Sequence, residues 1–377
     1  MRRVKLLHTS DFHIDWPFEM FAEGARQQRR KDLFSAFEYL CDLAVSEEVQ
    51  GLLVAGDLFH SDLVDRHTVS LVVSGFMRLM AEGIKVVILP GNHDPGIEGL
   101  LRKNSGLLPN VFVFSGGDWQ EYKGIEGVTV YGIPFNESRK NERMLANFRS
   151  GGENACPDDS RAPYRVGLLH GTVNGLPHIE GEYFPVTGDD IKNSGLDYLA
   201  MGHFHNFRDC SCGSTLSFYP GSPERLSFNN ISDRKAIIVE LKNGKVDAVP
   251  VTIPTRPYIV VDFDMNREGL ANLYLKLNQW ADSTSFIRLN ITGLLDQQDV
   301  FSAERIEQQY KDKFFHLEIC DFIRLIPQVD PNDKTVKGIF LRKISERLAD
   351  SRISDDERNV LNEALKVGLT VLEGGKL

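Results

Sequence analysis

The chain has 377 residues and a formal net charge of −10, from 43 Lys and Arg against 53 Asp and Glu. This length gives room for a large core and one or two smaller domains, and the acidic balance excludes a protein that is basic over its whole surface. The five cysteines are an odd number without framework spacing, which is typical of a reducing compartment. No apolar run reaches the roughly 18 residues that a membrane span needs, so we expect a soluble, cytoplasmic protein.

Short apolar segments predict buried β-strands at residues 4–9, 51–55, 85–89 and 165–169. Between the first two, apolar side chains recur at helical spacing: Leu33, Phe34, Phe37, Leu40, Cys41, Ala44 and Val45. A strand, a helix and a strand in this order form a parallel pair. The carboxyl ends of the strands then meet at one edge of the sheet.

Polar motifs follow these strands or stand further along the chain. They are Asp11-Phe12-His13, Gly56-Asp57, Gly91-Asn92-His93-Asp94, His170-Gly171 and Gly202-His203-Phe204-His205. An isolated Asp or Asn at a strand end usually caps a helix or closes a turn, but the complete set outweighs that alternative. Carboxylates, an amide oxygen and imidazoles together favour Mn²⁺, Fe²⁺ or Zn²⁺. The sequence therefore predicts a site for two metal ions and a metallohydrolase.

The pattern changes after residue 254. Segments at 258–261, 285–289 and 322–326 read as strands, separated by helical stretches around 267–281 and 302–314, which predicts a compact β-α-β-α-β unit. A helical tail follows, with one apolar stripe on Phe340, Leu341, Ile344 and Leu348, and a second after the capping sequence that begins at Ser354. We expect domains at 1–254, 255–335 and 336–377.

The motifs, together with Gly56-Asp57-Leu58-Phe59-His60 and Tyr219-Pro220-Gly221-Ser222-Pro223-Glu224-Arg225, resemble the calcineurin-like metallophosphoesterase superfamily. Within it, the chain is most similar to the SbcD/YhaO-type DNA repair exonucleases, over residues 11 to 225. The resemblance implies a layered α/β metallophosphoesterase sandwich with a small α/β cap and C-terminal helices. It also implies one ion on Asp11, His13, His205 and a bridging Asp57, and a second ion on Asp57, Asn92, His170 and His203.

The same resemblance implies the catalytic residues. His93 would be the proton donor or transition-state clamp, with Asp94 orienting its ring or favouring its charged form. His60 would contact the phosphodiester near the metal ions, with an ordinary surface histidine as the alternative. The expected cofactors are two divalent metal ions, with Mn²⁺ as the expected ion.

The resemblance implies a metal-dependent DNA nuclease that acts in DNA repair with an SMC-like coiled-coil ATPase of the SbcC type. The apolar stripe on Phe340, Ile344 and Leu348 would bind that partner, unless it packs on the protein's own core. Arg102 and Lys103 are the best candidates for phosphate contact; Arg26, Arg29, Arg30 and Lys31 serve DNA or simply form the solvated face of their helix. We expect no membrane contact, and the sequence leaves open whether the protein forms a homodimer.

Two other functions are compatible with the sequence. One is a phosphodiesterase or phosphatase for small molecules or phosphoproteins, although the protein-phosphatase signature Gly-Asp-x-x-Asp-Arg-Gly does not follow Gly56-Asp57. The other is a scaffold that delivers an ATPase to DNA with little catalysis of its own.

Overall fold

The computed structural model of the chain describes residues 3–21, 23–106, 108–148, 164–175, 183–228, 232–296, 301–326, 330 and 332–372. The chain divides into two compact units, Met1–Thr255 and Arg256–Leu377. The second unit contains both the predicted cap and the predicted tail, and their separation at residue 335 stays a prediction.

The first unit alternates strands and helices along most of its length. In chain order its elements are β1 (Val4–Thr9), α1 (Glu23–Ser46), β2 (Gly51–Ala55), α2 (Arg66–Ala81), β3 (Lys85–Leu89), α3 (Ile97–Ser105), β4 (Val111–Val113), β5 (Gln120–Ile125), β6 (Val128–Ile133), β7 (Tyr164–His170), α4 (Gly188–Asn193), β8 (Tyr198–Gly202), β9 (Arg208–Asp209), β10 (Leu216–Tyr219), β11 (Lys235–Lys242) and β12 (Lys245–Thr252). Two short 3₁₀ turns lie at Glu137–Arg139 and Leu145–Asn147.

Two six-stranded sheets form the centre of this unit, in the orders β12-β11-β1-β2-β3-β4 and β5-β6-β7-β8-β10-β9. Their facing sides share a core that includes Leu53, Val87, Leu168 and Ala200. The outer side of the first sheet packs on α1 and α2, and that of the second packs on α4 and the turn at Leu145–Asn147. The predicted layered α/β sandwich is confirmed.

Strand direction brings the ends of several strands to one edge. The first sheet pairs β1, β2 and β3 in parallel, and the second pairs β7 with β8 in parallel, with His170 opposite Gly202. A Cβ on Gly202 would lie 1.8 Å from the carbonyl oxygen of Ala55 at the end of β2. Only glycine therefore lets the two sheets approach this closely at the edge where the polar motifs lie.

The second unit contains β13 (Tyr258–Asp264), α5 (Met265–Gln279), β14 (Phe286–Asp296), α6 (Ala303–Tyr310), β15 (His316–Ile326), α7 (Val336–Leu348) and α8 (Asp355–Leu372). Its strands form a parallel sheet in the order β13-β14-β15. The buried side chains of Leu273, Ile291 and Tyr310 belong to the core that packs α5 and α6 on this sheet.

The C-terminal helices form a hairpin with an apolar interior. Leu341 of α7 and Leu365 and Leu369 of α8 are buried, and Phe340 and Ile344 pack against them. A Cβ on Gly368 would come within 2.3 Å of the Phe340 ring, so the ring lies directly on the backbone of α8. Phe340 and Ile344 are therefore partly buried within the hairpin, and the contact of their stripe with a partner stays a prediction.

Two further features concern the whole described part of the chain. None of its helices is long and apolar enough to cross a membrane. Cys41, Cys210, Cys212 and Cys320 are free thiols. Cys156 lies outside the described residues.

Candidate metal centre

The loops that follow the strands hold several predicted ligands in left-handed backbone conformations. The φ angles are 53° at Asp11, 48° at His13, 51° at Asp57 and 101° at His203. Non-glycine residues adopt such angles at an energetic cost, and they persist only where surrounding contacts fix them. Here the amides of Asp11 and His13 each donate at 3.0 Å, to the carbonyl oxygens of Gly56 and Asp57 respectively. The first two motifs are thus tied to each other through their backbones.

Glycines beside the ligands give the side chains room. A Cβ on Gly56, which has φ 96°, would lie 2.0 Å from Nδ1 of His170. A Cβ on Gly91 would lie 2.0 Å from Oδ1 of Asp57. These motifs therefore need glycine for a steric reason.

Asp57 lies at the centre of the cluster. Its Oδ1 accepts a hydrogen bond of 2.9 Å from the amide of His93. Its Oδ2 lies 3.6 Å from Nε2 of His13 and 3.3 Å from Nε2 of His170. One oxygen therefore faces histidines from both predicted ligand sets, which is the position that a bridging carboxylate needs.

The first ligand set comes together on one side of Asp57. Nε2 of His13 lies 3.1 Å from Nε2 of His205. Ligand atoms of Asp11, His13 and His205 all lie within 4.8 Å of one another. Ser10, which none of the motifs includes, donates from its hydroxyl to Oδ2 of Asp11 at 2.5 Å.

The second set lies on the other side. Nδ1 of His170 donates to the carbonyl oxygen of Ala55 at 2.9 Å, which turns Nε2 toward Oδ1 of Asn92 at 3.0 Å. The ring of His203 stands edge-on to that of His170, with centroids 5.2 Å apart. Nε2 of His203 is buried and has no hydrogen-bond partner among the described residues.

Burial and neighbouring charges set the protonation of these groups. Burial lowers the pKa of His203 to about 3 and the pKa of His205 to about 4, so both rings are neutral at pH 7. Burial would raise the pKa of Asp57, but His170 holds it well below its usual range. Burial would lower the pKa of His170, but the carboxylate of Asp57 raises it to about 9. A metal ion at His170 would therefore displace a proton.

The arrangement fits divalent metal ions. Neutral imidazole nitrogens, carboxylate oxygens and an amide oxygen direct lone pairs at common points, and cations there would satisfy them. The buried Nε2 of His203, which has no hydrogen-bond partner among the described residues, would also be satisfied by a bound cation. Every ligand that the sequence predicts lies in this cluster, although the division of ligands between two ions stays a prediction.

The structure brings the predicted catalytic residues to the same place. His93 stacks on His60 with ring centroids 5.1 Å apart, and its Nδ1 donates to the carbonyl oxygen of His60 at 3.0 Å. Asp94 was expected to orient this ring. Instead its carboxylate accepts from the amides of Gly91 at 2.9 Å and Phe59 at 3.1 Å, so it holds the backbone of two loops together. Burial raises the pKa of Asp94 to about 7.

Two aromatic side chains at the centre belong to none of the sequence motifs. Trp16 lies with its ring centroid 4.4 Å from that of His60 and 5.4 Å from that of His13. Tyr183 stands edge-on to His203 at 4.9 Å. Neither belongs to a ligand pattern, so only the folded chain places them here.

Two of the basic residues that were expected to contact phosphate form ion pairs within the protein. Arg102 pairs with Glu98 at 2.8 Å one helical turn away. Arg29 is fully buried and pairs with Asp32 at 2.9 Å and Glu224 at 3.1 Å. Arg29 is thus neither a DNA contact nor part of a solvated face, because its charge is neutralised inside the protein.

Two stacked sheets with this ligand set at one edge are typical of metal-dependent phosphoesterases. The chain belongs to the calcineurin-like phosphoesterase family, whose pattern matches residues 4–207. This membership supports metal-dependent phosphoesterase activity.

Three named relatives are each less than 30% identical to this chain. The chain is 28% identical to the uncharacterized metallophosphoesterase YhaO of Bacillus subtilis, over 64% of this chain and 59% of YhaO. It is 24% identical to the DNA double-strand break repair protein Mre11 of Thermoplasma acidophilum, over 84% of this chain and 87% of that protein. It is 26% identical to the D polypeptide of the nuclease SbcCD of Escherichia coli, over 74% of each chain.

Proposed function

We propose that the protein is a metal-dependent DNA nuclease that hydrolyses phosphodiesters with two divalent ions, Mn²⁺ being the physiological one. The observation that carries this proposal is the position of Asp57 Oδ2 between Nε2 of His13 and Nε2 of His170. A single ion needs no carboxylate oxygen shared in this way, whereas two adjacent cations need an anion between them to offset their repulsion.

The ions would be held by Asp11, His13, His205 and Asp57, and by Asp57, Asn92, His170 and His203. When bound, they supply Lewis-acid stabilisation of the phosphoryl oxygens and lower the pKa of the attacking water. The backbone bonds of the strained loops fix the ligands before substrate arrives, so little reorganisation is needed during the reaction.

His93 is the proposed acid. Because Nδ1 is occupied by the carbonyl of His60, Nε2 is the nitrogen that can act on substrate. Hydrolysis adds one water across a P–O bond, and an imidazolium at His93 would deliver a proton to the departing oxygen. Asp94 contributes indirectly, by holding the loop that carries Asn92 and His93. His60 supports the His93 ring by stacking and is a candidate contact for the phosphodiester.

The names of the relatives support DNA as the substrate. The names of two of them refer to DNA double-strand break repair and to a nuclease, and one alignment extends over 84% of this chain. We therefore propose a role in DNA repair in the cytoplasm, with the second unit helping to hold DNA.

We also propose an SMC-like coiled-coil ATPase as partner. Since Phe340 and Ile344 are partly buried within the hairpin, the more exposed apolar surface is the outer side of the hairpin. Val360, Val367 and Val371 of α8 are exposed by 67%, 46% and 48%. Their spacing places them along one side of the helix, as in helix-in-groove recognition.

The experiment that tests the function is an assay of purified protein with Mn²⁺ on linear duplex DNA, hairpin DNA and a generic phosphodiester such as bis(p-nitrophenyl) phosphate. We expect cleavage of the DNA substrates at much higher kcat/KM than the small ester, and none with chelator. Efficient cleavage of the small ester alone would favour a small-molecule phosphodiesterase. DNA binding without cleavage would favour a scaffold.

A further inference from the structure

Arg234 is a buried cation beside the metal centre that no motif predicted. Its side chain is only 1% exposed, and it lies just before β11. Its backbone is fixed to the first sheet, since its carbonyl accepts from the amide of Ile253 at 2.8 Å. Burial lowers the pKa of Arg234 to about 10, so the group is still charged at pH 7.

The guanidinium reaches the loop that follows β8 in the second sheet. Nη1 donates to the carbonyl oxygen of His205 at 2.7 Å, and Nη2 donates to Oδ1 of Asn206 at 3.0 Å. The other side of the group is held by Ser232, whose carbonyl oxygen accepts from Nε at 3.0 Å and from Nη2 at 2.6 Å. The planar guanidinium of Arg234 therefore connects the first sheet to the predicted ligand His205 through hydrogen bonds.

The Tyr219–Arg225 segment, which supported the family resemblance but has no role in the proposed chemistry, completes this contact. The amide of Ser222 donates to the same carbonyl oxygen of His205 at 3.2 Å. Gly221 has φ 79°, and a Cβ there would lie 2.7 Å from that oxygen. The carbonyl of His205 is thus held from two directions, and glycine at 221 is required for the approach.

His203 does not depend on this contact. Its amide donates to both carboxylate oxygens of Asp11, at 3.0 Å and 3.1 Å. Ligands from the first sheet hold His203 directly, whereas His205 is placed through Arg234 and Ser222. Loss of the guanidinium would consequently disturb the ligand set of Asp11, His13 and His205 more than the set around His170.

We propose that Arg234 is a positioning residue that sets the distance between His205 and His13 and so determines the affinity of one of the two metal sites. The proposal rests on the proposed metal centre. Partners that orient metal ligands commonly change metal affinity by about 10- to 100-fold when they are removed.

Charge and positioning make opposite predictions for Arg234→Met. If the guanidinium acted mainly as a charge, its removal would relieve repulsion of the cations and tighten metal binding. If it positions His205, its removal weakens binding. Arg234→Lys keeps the charge but not the planar fork, so a positioning role predicts weaker binding for Lys as well.

The test is a calorimetric titration of the metal-free full chain with Mn²⁺, together with the EPR spectrum of the bound ions. We expect wild type to bind two ions and both variants to lose about 10- to 100-fold in affinity at one site only. The coupled signal of adjacent Mn²⁺ ions should give way to that of isolated Mn²⁺. Arg143→Met is the control, because Arg143 is also an ion-paired arginine of the first unit but contacts Asp190 at 2.7 Å and none of the predicted ligands. It should leave both affinities unchanged.

Each alternative outcome is distinguishable. A wild-type chain that binds no Mn²⁺ would overturn the metal centre itself. Normal or tighter binding in the Arg234 variants, beside a wild type that binds two ions, would overturn only the positioning role. So would equal weakening at both sites, or the failure of both variants to fold while Arg143→Met folds, because Arg234 would then support the fold in general.

Discussion

At Asp57, one carboxylate oxygen faces two imidazole nitrogens while the other is fixed by the amide of His93. An amide in its place keeps the shape but removes the negative charge between the two cations. We therefore predict that Asp57→Asn binds fewer than two ions per chain after dialysis, measured by elemental analysis, because the cations then repel each other without compensation. Asp190→Asn is the control: Asp190 is buried and pairs with Arg143 away from the centre. Two tightly bound ions in Asp57→Asn would remove the bridging role.

His93 separates chemistry from metal binding. Its side chain bonds the carbonyl of His60 and is not among the predicted ligands. His93→Ala should therefore keep both ions while DNA cleavage falls by about 10²-fold or more, as expected on loss of a positioned acid. The exposed His67 provides a control substitution that should change neither quantity. Cleavage near the wild-type rate would exclude His93 from the mechanism.

Motif chemistry predicts which residue types gather at the centre, because ligand type and strand-end position are readable from sequence. It does not predict hydrogen-bond partners. Asp94 bonds backbone amides instead of His93, and Arg102 pairs with Glu98, because each side chain takes the nearest group in the folded loop or helix. Arg234 illustrates the same limit: it is far from His205 in sequence, and no local pattern marks it.

Among the elements, the C-terminal hairpin has a covered side and an open side. Leu365 is fully buried between the helices, whereas Val360 is 67% exposed. Leu365→Ala should lower the free energy of unfolding of the second unit by roughly 2–5 kcal/mol, since it leaves a cavity. Val360→Ala should change it by less than about 0.5 kcal/mol. Urea unfolding followed by circular dichroism measures both, and equal, small effects would show that the hairpin is not packed in solution.

We expect the exposed side of the C-terminal hairpin to affect only the binding of the partner. Replacing Val360, Val367 and Val371 together with Lys should leave the melting temperature and nuclease activity unchanged but abolish co-purification with a coiled-coil ATPase, because charge cannot be buried in an apolar groove. Leu275→Lys, at a residue of α5 that is 59% exposed, is the matched control. If co-purification were retained, this surface would not be the binding site of the partner.

The elements themselves were largely predictable. The strands at 4–9, 51–55 and 85–89 coincide with β1, β2 and β3, because buried parallel strands read as continuous apolar runs. The family resemblance assigns the stripe of α7 to a partner, and the helical period does not test that assignment, because an amphipathic face has the same periodicity whether it packs on a neighbouring helix or on another protein. Sequence periodicity alone cannot distinguish the two.

On the scale of the whole molecule, the metal centre ties together loops from both sheets of the first unit. Ions that bind only the folded state stabilise it by about 2.7 kcal/mol for each site kept at about 100 times its Kd. Removal of both ions by a chelator should therefore lower the melting temperature of the first unit by roughly 10 to 20 °C. Hydrogen exchange of peptides from residues 256–372 is the internal control and should not change. Identical melting with and without chelator would contradict tight metal binding.

The division of the chain into layers follows from hydrophobic pattern and the order of elements, so the fold class could be predicted. The approach of the two sheets could not, since it depends on the contact of Gly202 with the carbonyl of Ala55, which only the packed structure displays.

The proposed requirement for cleavage of DNA is a pair of ions shared through Asp57. It is tested most directly by titrating metal-free protein with Mn²⁺ and measuring bound ions per chain and cleavage of a linear duplex in the same samples. We expect cleavage that rises with occupancy of the second site and reaches its maximum at two ions per chain. Full cleavage at one ion per chain, or in excess chelator, would contradict it.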